Sequence, residues 1–350
     1  MTGTAIDAAR RRIAAGPARD RIAAHLHARY SVAVSGLTEL DLGVYRVDRT
    51  GGPAWVARVF PAVRAESAAA GDAEILALLE RHGFPSERAA TAQPLSVLDG
   101  HPVLLTEFVP GVARAGRAAA IRDGGGLRRL GELLGELHLL AGADGAAARP
   151  GGAWHHLTDG GPADEIRATR ALLAECADAA PADQRHYGML ARELADADDG
   201  HGLPTALIHP DFVLANVIAS AERGMVLVDW TGAGTGPRAW PLAFLLFAEG
   251  AKNPPRADLV VSGYRRQVAL EPAEIERIPA MMRVRPVVLA AWSLCLGRLS
   301  AEQATQAALN ARQVAERSAR ASSRRSGPAR PEPARSKPAR CAHQGTVRPR

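Results

Sequence analysis

Lysine is almost missing from this chain of 350 residues: Lys252 and Lys337 are the only two, and arginine supplies the rest of the 43 basic side chains. Any task that needs a cation in the N-terminal half therefore falls to arginine. Aromatic residues make up 4%, which leaves Leu, Val and Ala to do most of the packing. The three cysteines, Cys176, Cys295 and Cys341, are odd in number and far apart. That excludes a disulfide framework and gives no metal-ligand spacing, and it makes a reducing cytoplasm the expected setting. Long apolar runs are missing too. The longest, Trp240–Ala248 and Pro286–Leu296, fall well short of the roughly 20 residues of a membrane-spanning helix. Met1–Arg12 has arginines without an apolar run behind them, unlike a secretory signal. A soluble, cytoplasmic protein with no membrane partner is expected.

A hydrophobic share of 47% and a charged share of 23% match ordinary globular usage, and the length predicts two packed lobes. The net charge of +6 suggests an acidic partner until its distribution is considered. Nine of the 43 bases and one of the 37 acids lie in Ser318–Arg350, leaving 34 bases against 36 acids before it. That tail repeats Pro-Ala-Arg at 328–330, 333–335 and 338–340 and has almost no large apolar residue. Residues 318–350 are thus expected to be a disordered basic tail, with no specific nucleic-acid partner.

Residues 1–29 have helical composition and predict an accessory helix. His25 and His27, two apart, do not share a helix face and make a poor metal pair. From Tyr30 short β-rich runs follow: Ser31–Val34, Gly43–Val47 and Trp55–Phe60, with residues 48–52 as a turn. The apolar spacing of 72–82 predicts a helix closed by Gly83 and Pro85. Strands at Leu95–Leu98 and His101–Phe108 flank the hairpin signal Asp99-Gly100. After Pro110-Gly111, Leu127, Leu130, Leu133, Leu134, Leu137 and Leu140 form a helical stripe. Helices over 162–180 and 183–199 come next, then strands at 206–208, 217–219 and 225–228, then helices to about 317. Ser300-Ala-Glu-Gln303 reads as a capping box between two of these. The fold class is α+β: a small antiparallel β-rich lobe with one main helix (30–110) and a larger, mostly helical lobe (111–317).

The chemistry is concentrated in Leu207–Trp230. His209-x-Asp211-x-x-x-x-Asn216 lies between strands, and Asp229 follows at a strand end. Phosphoryl transfer needs such a set: one carboxylate to take the acceptor hydroxyl's proton, and an amide plus a second carboxylate to hold Mg²⁺. Oxygen ligands from Asn216 and Asp229 suit that hard cation.

These residues resemble the aminoglycoside phosphotransferase and choline kinase family, relatives of the protein kinases, over about residues 30–300. The resemblance implies a bilobal kinase-like fold and an ATP-dependent phosphotransferase (GTP being the other nucleotide) that acts on a hydroxyl of a small molecule. It implies Asp211 as catalytic base, His209 as support of the catalytic loop, and Asn216 and Asp229 as Mg²⁺ ligands. Leu104–Gly111 is similar to the segment whose backbone holds the adenine, at Glu107 and Val109, and Leu133–His138 is similar to the first large helix. Gly36–Gly43 is the candidate turn over the phosphates, with Gly36 for close approach and Thr38 as a hydroxyl donor. Arg58 stands where the family often has lysine, and Trp230–Pro237 would form the flexible segment after the metal aspartate. Glu74 is its expected helix partner and Glu66 the alternative. The sequence departs from the family at Pro210, at Trp240-Pro241, where an aspartate usually anchors the catalytic loop, and at Arg58. Arg58, Pro241 and the thin glycine turn keep a catalytically silent nucleotide-binding relative as the rival reading.

The acceptor is expected among the helices of the second lobe. Residues 159–199 carry ten acids against four arginines, a surface able to attract a cationic acceptor, although a solvated helix face explains them as well. His155 and His156, beside Trp154, are weaker pocket candidates, with ordinary loop residues as the other reading. Oligomeric state is open.

Overall fold

In a computed structural model of the chain, residues 16–111, 124–140, 148–152, 160–195 and 197–325 are described. Trp154, His155, His156 and the tail from residue 326 lie outside them.

Helix α1 (Arg19–Tyr30) precedes a five-stranded antiparallel sheet in the order β1-β2-β3-β5-β4, with β1 (Val34–Asp41), β2 (Val44–Arg49), β3 (Gly52–Val59), β4 (Leu95–Leu98) and β5 (His101–Glu107). Alternation divides the sheet into two faces. Val47, Trp55, Ala57, Val103 and Leu105 pack under Ile22 and Leu26 of α1, while Val56, Arg58, Leu104 and Thr106 face the cleft. Helix α2 (Glu66–Arg81) lies on the cleft side. Its buried positions Asp72, Ile75, Leu76 and Leu79 recur at three and four residues, the stripe of a 3.6-residue period.

The larger part is helical: α3 (Gly124–His138), α4 (Pro162–Ala179), α5 (Gln184–Ala195), α6 (Ala239–Gly250), α7 (Pro254–Tyr264), α8 (Pro272–Met282), α9 (Val284–Cys295) and α10 (Ala301–Arg325). Leu127, Leu130, Leu133, Leu134 and Leu137 of α3 are all fully buried. They join a core that also takes in Phe60, Leu76, Leu79 and Leu104 from the small lobe. Short strands β6 (Thr205–Ile208), β7 (Val217–Ser220), β8 (Gly224–Leu227) and β9 (Gly234–Pro237) pair as β6-β9 and β7-β8. Ser300 caps α10 as expected. Its hydroxyl accepts the Gln303 N–H at 3.2 Å, and Gln303 Oε1 accepts the Ser300 N–H at 2.9 Å. Among the described residues one apolar stretch, Pro272–Cys295, is long enough to cross a bilayer. It is 67% buried inside the protein, as befits core helices.

Four expectations are corrected. The first strand runs over Val34–Asp41 and not Ser31–Val34, because Ser31 takes a left-handed conformation (φ 55°) that ends α1. The helix expected over 72–82 starts six residues earlier, at Glu66. The segment after Trp230, expected to be flexible, contains β9; a Cβ at Gly234 would meet Arg149 O at 2.4 Å, so glycine serves close strand packing here. Helix α10 continues to Arg325, eight residues into the stretch assigned to the tail.

Candidate functional site

The segment joining β6 to β7 carries the sequence motif, and its backbone is fixed by its own side chains. His209 is fully buried. Its Nε2 meets Val228 O at 3.1 Å and its Nδ1 accepts the Asp211 N–H at 3.1 Å. That pair of contacts requires the Nε2-protonated neutral ring, and burial holds its pKa below the ordinary value. The Trp230 ring packs against it at a tilt of 60°, with ring centres 4.6 Å apart. His209 thus ties the start of the loop to the strand end one residue before Asp229. After a tight turn over Leu214–Asn216, Asn216 Nδ2 donates to Asp211 O at 2.9 Å and Asn216 O accepts the Val228 N–H at 2.9 Å. With Nδ2 engaged, Oδ1 is the amide atom left for a ligand.

Asp229 has φ +68°, in the left-handed region, which non-glycine residues adopt at a cost. A buried carboxylate offsets that cost. Glu87 Oε1 accepts the Asp229 N–H at 2.7 Å and the Trp230 N–H at 3.4 Å, while Oε2 accepts the Thr106 hydroxyl at 3.0 Å. Glu87 reaches this place because residues 85–87 pair with the end of β8: Glu87 N donates to Leu227 O, and Leu227 N to Pro85 O, each at 2.8 Å. Burial pushes the Glu87 carboxyl up, and the nearby Arg58 only partly offsets this.

Arg58 projects from β3 into the cleft and pairs with Asp229 Oδ1 at 2.8 Å. Burial works against its charge, but the carboxylates of Asp229, Glu87, Asp72 and Asp41 outweigh burial and hold the proton more tightly than usual. The expected partner, Glu74, is exposed on the outer face of α2, and so is Glu66. Glu74 lies two residues from Asp72, a rotation of about 200° around a helix, so only one of them can face the cleft. Asp72 is that residue, 1% exposed. Its oxygens accept Arg64 Nη2 at 2.7 Å, the Gly232 N–H at 3.0 Å, and Arg149 Nη2. Arg149 also donates to Ala68 O of α2 at 2.6 Å and to Ala233 O at 2.9 Å.

Gly36 and Thr38 lie along β1, opposite Asp48 and Arg46. The end of the sheet that carries Arg58 belongs instead to the hairpin tip Asp41-Leu42-Gly43, since Val44 is opposite Arg58. Gly43 has φ +70°, and a Cβ there would meet Val59 O at 2.6 Å. At the other cleft wall, the Glu107 N–H donates to Arg88 O at 2.9 Å, and Val109 is buried. Gly111 passes so close to β7 that a Cβ would lie 2.2 Å from Ile218 Cγ2.

Asp211 has a partner that the motif did not reveal. Arg285 of α9, 3% exposed, donates from Nε at 2.9 Å and Nη2 at 2.6 Å to Asp211 Oδ1, and from Nη1 to the buried Glu165 of α4. Burial opposes the Arg285 charge, and the Asp211 and Glu165 carboxylates more than restore it. An arginine inside an apolar helical run was the available signal, because such a charge is buried only with partners. Glu87 sits in an irregular loop and left no signal. Of the ten acids over 159–199, Glu165, Glu193 and Asp198 are engaged by Arg285, by Arg283 and Arg312, and by Arg277, which thins the acidic surface.

No group of three or more His, Cys, Asp or Glu suited to a metal gathers among the described residues. The Asn216 and Asp229 pair matches the lesser demand of Mg²⁺, which takes one or two protein oxygens and completes its shell with phosphates and water.

A β-sheet lobe over a helical lobe, with these side chains between them, defines the bilobal kinase-like fold. Solved structures agree. An aminopropanol kinase associated with a microcompartment superposes with a TM-score of 0.59 at 20% identity, over 86% of this chain and 98% of that one. A choline kinase from Streptococcus pneumoniae does so with a TM-score of 0.56 at 16% identity, over 86% and 98%. The sequence model of the phosphotransferase enzyme family (APH) matches residues 39–277, and the chain belongs to that family. Among curated relatives, the homoserine kinase of Methylorubrum populi is 32% identical over 210 residues, covering 56% of this chain and 58% of that one. The chain thus matches less than two thirds of that relative's length.

Proposed function

We propose that the chain transfers the γ-phosphoryl group of ATP to a hydroxyl of a small amino alcohol or hydroxy amino acid, with Mg²⁺, in the cytoplasm. The observation that carries this reading is the assembly of Asp211, Asn216, Asp229 and Arg58 at one cleft, each held by a hydrogen bond or an ion pair. Asp211 takes the acceptor proton, and the acceptor oxygen bonds to the γ-phosphorus as the bond to the bridging oxygen breaks and ADP leaves. Mg²⁺ held by Asn216 and Asp229 would neutralise phosphate charge. Arg58 steadies the phosphates from the sheet side, the hairpin tip at Gly43 lies over them, and Glu107 and Val109 border the adenine. Positioning and charge complementarity provide most of the rate enhancement. The acceptor class draws on the relatives' names, homoserine kinase, aminopropanol kinase and choline kinase: each names a hydroxyl a short chain away from a cationic nitrogen.

The rival, a nucleotide-binding protein without transfer, has one observation in its favour: Arg58 already occupies an oxygen of Asp229. Two measurements separate the readings. ATP and Mg²⁺ together raise the melting temperature of the wild type and not of Asp229→Ala, since a ligand that binds only the folded state stabilises it. Phosphate transfer to homoserine, aminopropanol or choline occurs with the wild type and is lost in Asp211→Asn. A magnesium-dependent thermal shift without transfer to any hydroxyl compound would establish the rival.

A further inference from the structure

The backbone of the catalytic loop is held by His209 and Asn216, but neither touches the Asp211 carboxylate. Arg285 does, and its geometry is selective. Both of its N–H contacts, from Nε and Nη2, go to Oδ1. Among the described residues Oδ2 has no hydrogen bond. An aspartate side chain has two rotatable bonds, and two donors on one oxygen fix the carboxylate plane as well as its position. Arg285 is itself held, by Glu165 at Nη1 and by the Phe244 ring 5.9 Å from its guanidinium. Glu165 shares the positive charge, so Asp211 is oriented without having to neutralise the whole cation. A guanidinium this deeply buried requires both carboxylates.

We propose that Arg285, seated by Glu165, is a positioning residue that presents Oδ2 of Asp211 to the acceptor hydroxyl. The proton of that hydroxyl passes to Oδ2 while the acceptor oxygen bonds to the γ-phosphorus, and the electron pair of the breaking bond leaves with ADP. The inference rests on the reading of Asp211 as the base.

The test measures ADP release from Mg·ATP with homoserine, aminopropanol or choline added and with water as the sole acceptor, together with thermal melting. The proteins are the wild type, Asp211→Asn, Arg285→Gln, Arg285→Lys and the double variant Arg285→Gln/Glu165→Gln. Arg285→Gln lowers kcat by about 30- to 100-fold, a large part of a general base's contribution, and leaves the KM for ATP within about twofold. Arg285→Lys keeps a charge but loses the fork, and recovers part of kcat. The double variant removes one charge of each sign and regains the melting temperature lost in Arg285→Gln without regaining kcat. A double variant that turns over at the wild-type rate overturns the proposal, since Arg285 would then serve the fold alone. Turnover by Asp211→Asn at the wild-type rate overturns the base assignment instead, and an inactive wild type overturns the phosphotransferase reading itself.

Discussion

Glu87 accepts the backbone N–H of Asp229 at 2.7 Å, so a small-lobe side chain holds the proposed metal-binding aspartate of the large lobe in its left-handed conformation. Removing that acceptor leaves the Asp229 and Trp230 N–H groups and the Thr106 hydroxyl without it. Glu87→Ala should destabilise the protein by about 2–4 kcal/mol, from unsatisfied buried groups at roughly 1–3 kcal/mol each. Glu87→Gln retains an acceptor and should lose less. Denaturant midpoints compare the two, and the magnesium dependence of ATP binding should weaken in both.

Asp72 and Glu74, two residues apart, should behave oppositely. Asp72→Asn deprives Arg64 and Arg149 of their shared counter-charge and should cost about 3–5 kcal/mol, as expected for a broken buried pair. Glu74→Ala, on the exposed face, should change stability by less than about 0.5 kcal/mol and leave ATP affinity unaltered. Loss of nucleotide binding in Glu74→Ala would reinstate it as the partner of Arg58.

Stability should fall as the medium is acidified below pH 6.5. Burial lowers the pKa of His209, and that of His138 from 6.5 to about 3. Because the folded values lie below the unfolded ones, the unfolded chain binds protons first. The stabilisation is full above 6.5 and is lost as pH falls toward 3 for His138. Between pH 7.5 and 5.0 His138 alone should account for about 1–2 kcal/mol. Urea midpoints at the two pH values measure the slope, and His138→Phe should flatten it.

Gly111→Ala drives a methyl group into Ile218 Cγ2 and toward Ala219 O, 2.9 Å from the added carbon. It should destabilise by about 1–3 kcal/mol, the usual cost of overpacking, and raise the KM for ATP more than it lowers kcat. An unchanged KM would separate this crossing from the nucleotide site.

Much of the architecture was legible because it rests on periodicity and punctuation. The α3 leucines, the Asp99-Gly100 turn and the Ser300 cap announce themselves within a few residues. Asp211, Asn216 and Asp229 were legible as a candidate set, which the fold brings to one loop and strand end, because they lie close together in the chain with a spacing specific to one chemistry. Glu87 and Arg285 were not, because each meets the motif across more than 70 residues and sequence spacing says nothing about such contacts. Glu74 was misassigned for a local reason: the apolar stripe of α2 sets the phase of the helix, and that phase selects Asp72. Strand β9 was hidden by its glycines, which signal flexibility in a sequence and here permit close packing.

The grip of Arg149 on Asp72 and Ala68 bears on how the molecule comes apart. Residues 68, 72, 149 and 232, drawn from both sides of the cleft, share one set of hydrogen bonds, and the larger of the two apolar clusters runs from Phe60 to Val314. Heat cannot release α2 without stranding Arg149, nor loosen the Gly232 segment without baring Asp72. Helix α2 and the Gly232 segment should therefore lose their structure in one shared transition, so that melts followed at the two places coincide.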